Sequence, residues 1–478
     1  MTTRAAFPRV GRFLALFLPL FAGTVLVADP NENGEAGAKE LVRAVHANHD
    51  EKALALLESG VDPNARTRYG VFPLSVACRN GNARLVKALL KAGARPTSSL
   101  PGGETVLMTA ARTGKVGPVS LLLEHGAKVG RAEPGRGQTA LMWAAAEGHV
   151  EVVELLLDDG ANPERQLDSG FTALLFAARD GHLEVVDLLL DHGVDVDYAI
   201  ERGGSSRRAA PRGATALDLA VENGHYELAV RLLEAGADPD DQRSGLAPLH
   251  RLCHVRKPNR GDGEDGLPPP RGSGELTSLR FARILVETHG ADVNLTLRTG
   301  SSRGSRFGTR DASPFLLASR RADLDYMKLL HELGADITVV NADGVTALLA
   351  AAGVGSRAPE EEAGTEDERL EALPWLLEFG LDIDAVSRQG QSAMHGAALK
   401  NAPGIVRWLD EQGADIAVWN REDRNGRTPL RISRGFRAGN FKPDTATEAA
   451  LAEVMEEAGL DVPPPPKRDA NAPKGYER

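Results

Sequence analysis

Gly70, Gly103, Gly137 and Gly170 fall 33, 34 and 33 residues apart, and the text around them recurs with them. Residues 137–163 read GQTALMWAAAEGHVEVVELLLDDGANP, residues 170–197 read GFTALLFAARDGHLEVVDLLLDHGVDVD, and residues 213–239 read GATALDLAVENGHYELAVRLLEAGADP. A chain of 478 residues would otherwise suggest about three globular domains. Self-similarity at a fixed period replaces that reading with a stacked array of one supersecondary unit.

The unit reads as two short helices and a connecting finger. Thr139 suits an N-cap, because its hydroxyl can accept from a free N–H of the first turn. Pro73, Pro248, Pro314 and Pro429 stand at the next position of other copies, where a helix needs no donor. Ala144 and Ala145 allow close helix approach, and Gly148 stops the first helix. The second helix starts near His149 and places Val150, Val153, Leu156 and Leu157 on one stripe. Gly160 ends it, at a position that commonly needs left-handed backbone. Two helices this short cannot bury their apolar stripes alone, so neighbouring copies supply the core. An aromatic content of 5% beside a hydrophobic content of 42% suits such small-residue packing.

The unit resembles the ankyrin repeat, on Thr215-Ala216-Leu217, Gly224-His225 and Gly236-Ala237-Asp238-Pro239. The likeness runs across most of residues 38–462. The expected fold is therefore an all-α repeat solenoid of roughly ten or eleven units, with loop or β-hairpin fingers. A capping repeat is expected over 38–69, with Leu54, Leu56 and Leu57 inward. Regular copies are expected over 70–244, and degenerate ones over 245–462. Insertions interrupt the latter at 257–274, 298–310 and 356–368, and residues 201–212 lengthen a finger. The last helix, near residues 445–458, carries Glu448, Glu453, Glu456 and Glu457 on an outward cap face. Residues 463–478 open with four prolines and read as an extended tail.

The N-terminus has the layout of a secretory signal peptide: Arg4, Arg9 and Arg12, an apolar run over 13–27, and Ala28 before polar residues. Residues 29–37 then form a linker. The expected location is periplasmic or secreted, the alternative an uncleaved membrane anchor. No stable span remains after cleavage. Cys78 and Cys253 share a repeat position and read as core fillers.

Catalytic patterns are absent from the sequence: it has neither a phosphate-binding Gly-Lys-Ser/Thr loop nor His-Glu-x-x-His. No enzyme activity, cofactor or metal is called for. His250, Cys253 and His254 are the nearest approach to a zinc motif, but a partner pair of ligands is lacking. His149, His182 and His225 recur periodically. In ankyrin repeats that histidine is a structural hydrogen-bonding residue. Trp143 and Phe176 share a first-helix slot, read as packing between repeats.

The resemblance implies that partners dock on the fingers and first helices. The positions concerned are the two residues before the starting glycine, the one after it, and two beyond the Ala-Ala pair. Basic residues there are Arg68, Arg79, Arg112, Arg136, Arg179, Arg212, Arg243, Arg310, Arg320, Arg321, Arg388, Lys400, Arg424 and Arg427. Acidic ones are Glu104, Glu147, Asp168, Asp180, Glu222 and Asp343. This face is thus basic within a chain of net charge -11. Tyr69 and Trp419 lie in finger segments, where exposed aromatics serve as anchors. The expectation is a monomeric protein-binding scaffold, favouring an acidic partner and not nucleic acid. It is similar to exported bacterial ankyrin proteins. A host-directed effector, or a subunit of a complex whose activity lies in a partner chain, are the alternatives.

Overall fold

The computed structural model describes residues 32–201, 210–259, 270–300, 307–357, 359, 361–437 and 442–465. The signal-peptide residues 1–28, and parts of the linker, of each insertion and of the tail, lie outside that set. Two compact units meet in sequence at Val194 and Asp195. Among the described residues there are 23 helices and no β-strand, only one antiparallel bridge, Ser99 with Thr105. No described helix is long and apolar enough to cross a membrane.

The first unit holds five helix pairs. First helices pack on first helices of the next copy, and second on second. The Gly137 copy shows why. Thr139 Oγ1 accepts from the Met142 N–H at 3.3 Å and starts the helix Ala140–Ala146. Ala144 and Ala145 are fully buried, so nothing larger fits between neighbouring first helices. The second helix, Val150–Asp158, buries Val152, Val153, Leu156 and Leu157. Val150 is only half-buried, so the stripe is shifted by two residues at its start from the expected one.

The N-terminal cap departs from expectation in two ways. Its first helix spans Glu32–His46 and takes in residues assigned to the linker. Leu41, Ala44 and Val45 of that helix are buried, whereas the second helix, Asp50–Glu58, buries Ala53. Leu54, Leu56 and Leu57 are half-buried. With a neighbour on one side only, the cap's second helix keeps part of its apolar face open.

The second unit holds six helix pairs and a short turn, Ile416–Trp419. The pair Pro248–Arg256 and Ser278–Glu287 belongs to one copy, with the 257–274 insertion between its helices. The 356–368 insertion is shorter than expected. Thr365 and Glu368 form a capping box that starts the helix Glu366–Glu378, so its last three residues are helical. The final helix, Thr445–Glu457, buries Thr447, Ala450, Leu451, Val454 and Met455, and exposes Glu453, Glu456 and Glu457.

Candidate binding surface

In the first unit the expected docking arginines fall into two groups. Arg79 and Arg136 are exposed, with no carboxylate partner among the described residues. Arg68 is also exposed and holds Tyr69: its Nη2 donates to the phenol oxygen at 2.6 Å, and its guanidinium lies 4.7 Å from the ring centroid. Tyr69 itself is 60% exposed. Arg112 and Arg179 are already engaged. Arg112 meets Glu104 at 3.4 Å and lies 5.1 Å over the Trp143 ring. Arg179 pairs with Asp180 at 2.6 Å and lies 5.1 Å over Phe176. Phe176 is buried and Trp143 half-buried, so this aromatic slot packs between repeats and carries a cation on its outer side.

In the second unit Arg212, Arg243, Arg310, Arg388 and Arg424 are exposed. Arg243 pairs with Asp241 at 2.9 Å, and Arg388 Nη1 donates to the Ala342 carbonyl at 2.9 Å. Five expected contact residues are not on an open surface. Trp419 is 2% exposed: Asp415 caps residues 416–419 into a helical turn that packs on the helix Ala393–Lys400. Its ring is core and not an exposed anchor. Arg321 is 8% exposed, and burial pushes its guanidinium down to about 10. Arg320 is half-buried, and burial lowers its pKa as well. Both arginines are covered by the insertions, whose path no repeat pattern encodes. Lys400 and Arg427 are buried too, Arg427 pairing with Asp423 at 2.6 Å.

The histidines bind backbone. His149 Nε2 donates to the Arg112 carbonyl and His182 Nε2 to the Ala146 carbonyl, each at 3.0 Å. His225 instead meets Ser273 of the 257–274 insertion, its Nδ1 accepting from the Ser273 N–H at 2.9 Å. His250 Nε2 donates to the Ala312 carbonyl at 3.2 Å, His254 Nδ1 to the His250 carbonyl at 3.3 Å, and the Cys253 thiol to the Pro314 carbonyl at 3.4 Å. These three side chains stitch backbone together.

Sequence reasoning passed over Arg369, which is 1% exposed. Its five N–H groups reach carbonyls only. Nε donates to Gly364, Nη1 to Ala350 and Ala351, and Nη2 to Arg320 and Ala363, over 2.5 to 3.3 Å. Arg437 acts alike on Ala398 and Leu399, at 3.5 and 2.8 Å. No periodic signal marks either residue. The available sign was the missing G-H pair in those copies, whose helix ends still need donors.

Stacked helix pairs, cross-repeat histidine bonds and projecting fingers define an all-α repeat protein of the solenoid type. The sequence model of ankyrin repeats in three copies matches residues 41–133, 74–166 and 160–243, and that of ankyrin repeats in many copies matches residues 363–409. Ankyrin repeat and SOCS box protein 16 of Mus musculus is 27% identical over 168 residues, which is 35% of this chain and 35% of that protein. The chain belongs to the ankyrin-repeat family, whose members are typically non-catalytic scaffolds for binding other proteins.

Proposed function

We propose that the chain is a non-catalytic scaffold working outside the cytoplasm, and that it docks an acidic surface of another protein. The carrying observation is the open cationic set Arg68, Arg79 and Arg136 in the first unit, at finger and first-helix-end positions. A cationic patch on an otherwise acidic protein speeds encounter with an acidic partner and disfavours like-charged ones. The basic and apolar N-terminal pattern over residues 1–28 supports export.

The test is capture of an identified partner from an extracytoplasmic extract, followed by affinity measurements with wild type and with Arg79→Glu plus Arg136→Glu. The double reversal should weaken binding about tenfold or more at about 50 mM salt and less at about 300 mM. Unchanged affinity overturns the electrostatic reading. N-terminal sequencing of the fractionated chain tests export: a mature end near Asp29 is expected, and a cytoplasmic chain starting at Met1 overturns it.

A further inference from the structure

Three insertions of the second unit converge on one basic spot. Arg320 stands at the repeat position of Arg79, Arg112 and Arg179, which no inserted segment covers. Here the second insertion brings Phe307 to 4.6 Å from the Arg320 guanidinium, and the third brings Glu362 to 3.4 Å. Phe307 is itself joined to the residue just before the third insertion, its N–H donating to the Gly355 carbonyl at 3.2 Å. Lys400 Nζ donates to the carbonyls of Pro359 and Glu362, at 2.8 and 3.4 Å. From the first insertion, Asn259 Oδ1 accepts from the Ala363 N–H at 3.4 Å and from Arg321 at 3.5 Å.

The contacts are those of a bound acidic peptide. A carboxylate lies on an arginine, backbone carbonyls lie on a lysine, and one backbone N–H is held by a side-chain amide. Burial pushes the Glu362 carboxyl up, but Arg320, the Arg357 N–H and Lys400 more than offset it and hold the group below the ordinary range. The fit is incomplete: Arg320 Nε is buried without a partner. Arg320 and Glu362 also keep 26% and 17% of their side-chain surface open, so the pair is loosely held compared with a core ion pair.

We propose that Arg320, Lys400 and the Phe307 ring form a site for a short acidic peptide segment, that Pro359 and residues 361–364 of the chain itself occupy it, and that an acidic segment of a partner binds there by replacing them. This rests on the reading of first-helix ends as docking positions. It gives the insertions a role, since a tethered occupant at an effective concentration on the order of millimolar admits only strong competitors.

The probe is a fluorescein-labelled peptide APEEEAG, the sequence of residues 358–364, titrated by anisotropy into the full chain. Glu361→Ser with Glu362→Ser weakens the tethered occupant and leaves the Thr365–Glu368 cap and Arg369 in place. Probe binding to this variant should be about tenfold tighter than to wild type. Adding Arg320→Ala, or about 0.5 M salt, should remove the gain. Equal affinity for variant and wild type, or a gain that survives Arg320→Ala, overturns the proposal. Should the variant not fold, the wild-type chain supplies the readout. Excess probe should speed trypsin cleavage after Arg357 and leave cleavage after Arg165 in the first unit unchanged; no acceleration overturns the proposal. Charge reversal at Arg79 and Arg136 acts in the other unit, so failure of the functional reading and failure of this site are separately visible.

Discussion

His182 Nε2 donates at 3.0 Å to the carbonyl oxygen of Ala146, the last residue of the preceding copy's first helix. A helix end leaves its last carbonyls without intrahelical partners, and this bond satisfies one of them while tying two repeats together. Because a carbonyl only accepts, the proton sits on Nε2. His182→Ala should lower the stability of the first unit by about 1–2 kcal/mol. Urea denaturation followed by Trp143, the first unit's one tryptophan, measures it; a loss within error of zero contradicts the role.

Gly148 makes room for that ring. Its φ is +75°, and a Cβ there would lie 2.4 Å from His182 Nδ1. Gly148→Ala therefore costs left-handed strain of about 1 kcal/mol and displaces the histidine too. The two changes should be strongly non-additive. In the His182→Ala background, Gly148→Ala should cost only the strain, and a double-mutant cycle reads the difference. Additive costs would show that the glycine and the histidine are not coupled.

This pairing was legible in the sequence because glycine and histidine recur together, so period, helix stops and stitching residue all come from one pattern. The N-caps and buried alanines followed from the same register. What escaped was whatever lay off the period. Arg369 acts from a helix whose start is set by an insertion. Trp419 sits where other copies have a finger, and is buried because Asp415 caps a local turn. Arg320 and Arg321 keep the repeat register, but chain inserted elsewhere covers them. Position in a repeat predicts which way a side chain points, and says nothing of what an insertion lays over it.

Arg369 takes over the histidine's task on a larger scale. It satisfies carbonyls in the last turn of Ala347–Ala352 and at the end of Pro314–Arg320, where a cation also suits the helix dipole. Arg369→Met would remove a donor from five carbonyls, of which Ala350 keeps the Gly353 N–H, and should destabilise the second unit by about 3 kcal/mol. Arg369→Lys should rescue little, because an ammonium cannot reproduce the planar fork. A Trp143→Phe background lets Trp375, Trp408 and Trp419 report on the second unit alone. Near-complete rescue by lysine would mean that charge, and not the donor geometry, holds these helix ends.

Acid should weaken the second unit through three histidines: burial pulls His254 down to about 3, and two fully buried rings act alike. Burial pulls His250 down to about 4 and His395 down to about 4, against about 6.5 in an unfolded chain. The folded chain thus keeps both rings neutral at a pH where the unfolded chain binds protons. Stability is full above about 6.5 and falls as pH drops towards 4, by up to about 3 kcal/mol per histidine. Both rings donate from Nε2 to backbone carbonyls, His250 to Ala312 and His395 to Arg421 and Arg427. A glutamine can keep such a donor without titrating. In the Trp143→Phe background, denaturant midpoints should fall steeply between pH 7 and pH 5. His250→Gln with His395→Gln should flatten that slope even if it lowers the midpoint at pH 7. A slope unchanged by the double substitution would assign the acid sensitivity to other groups.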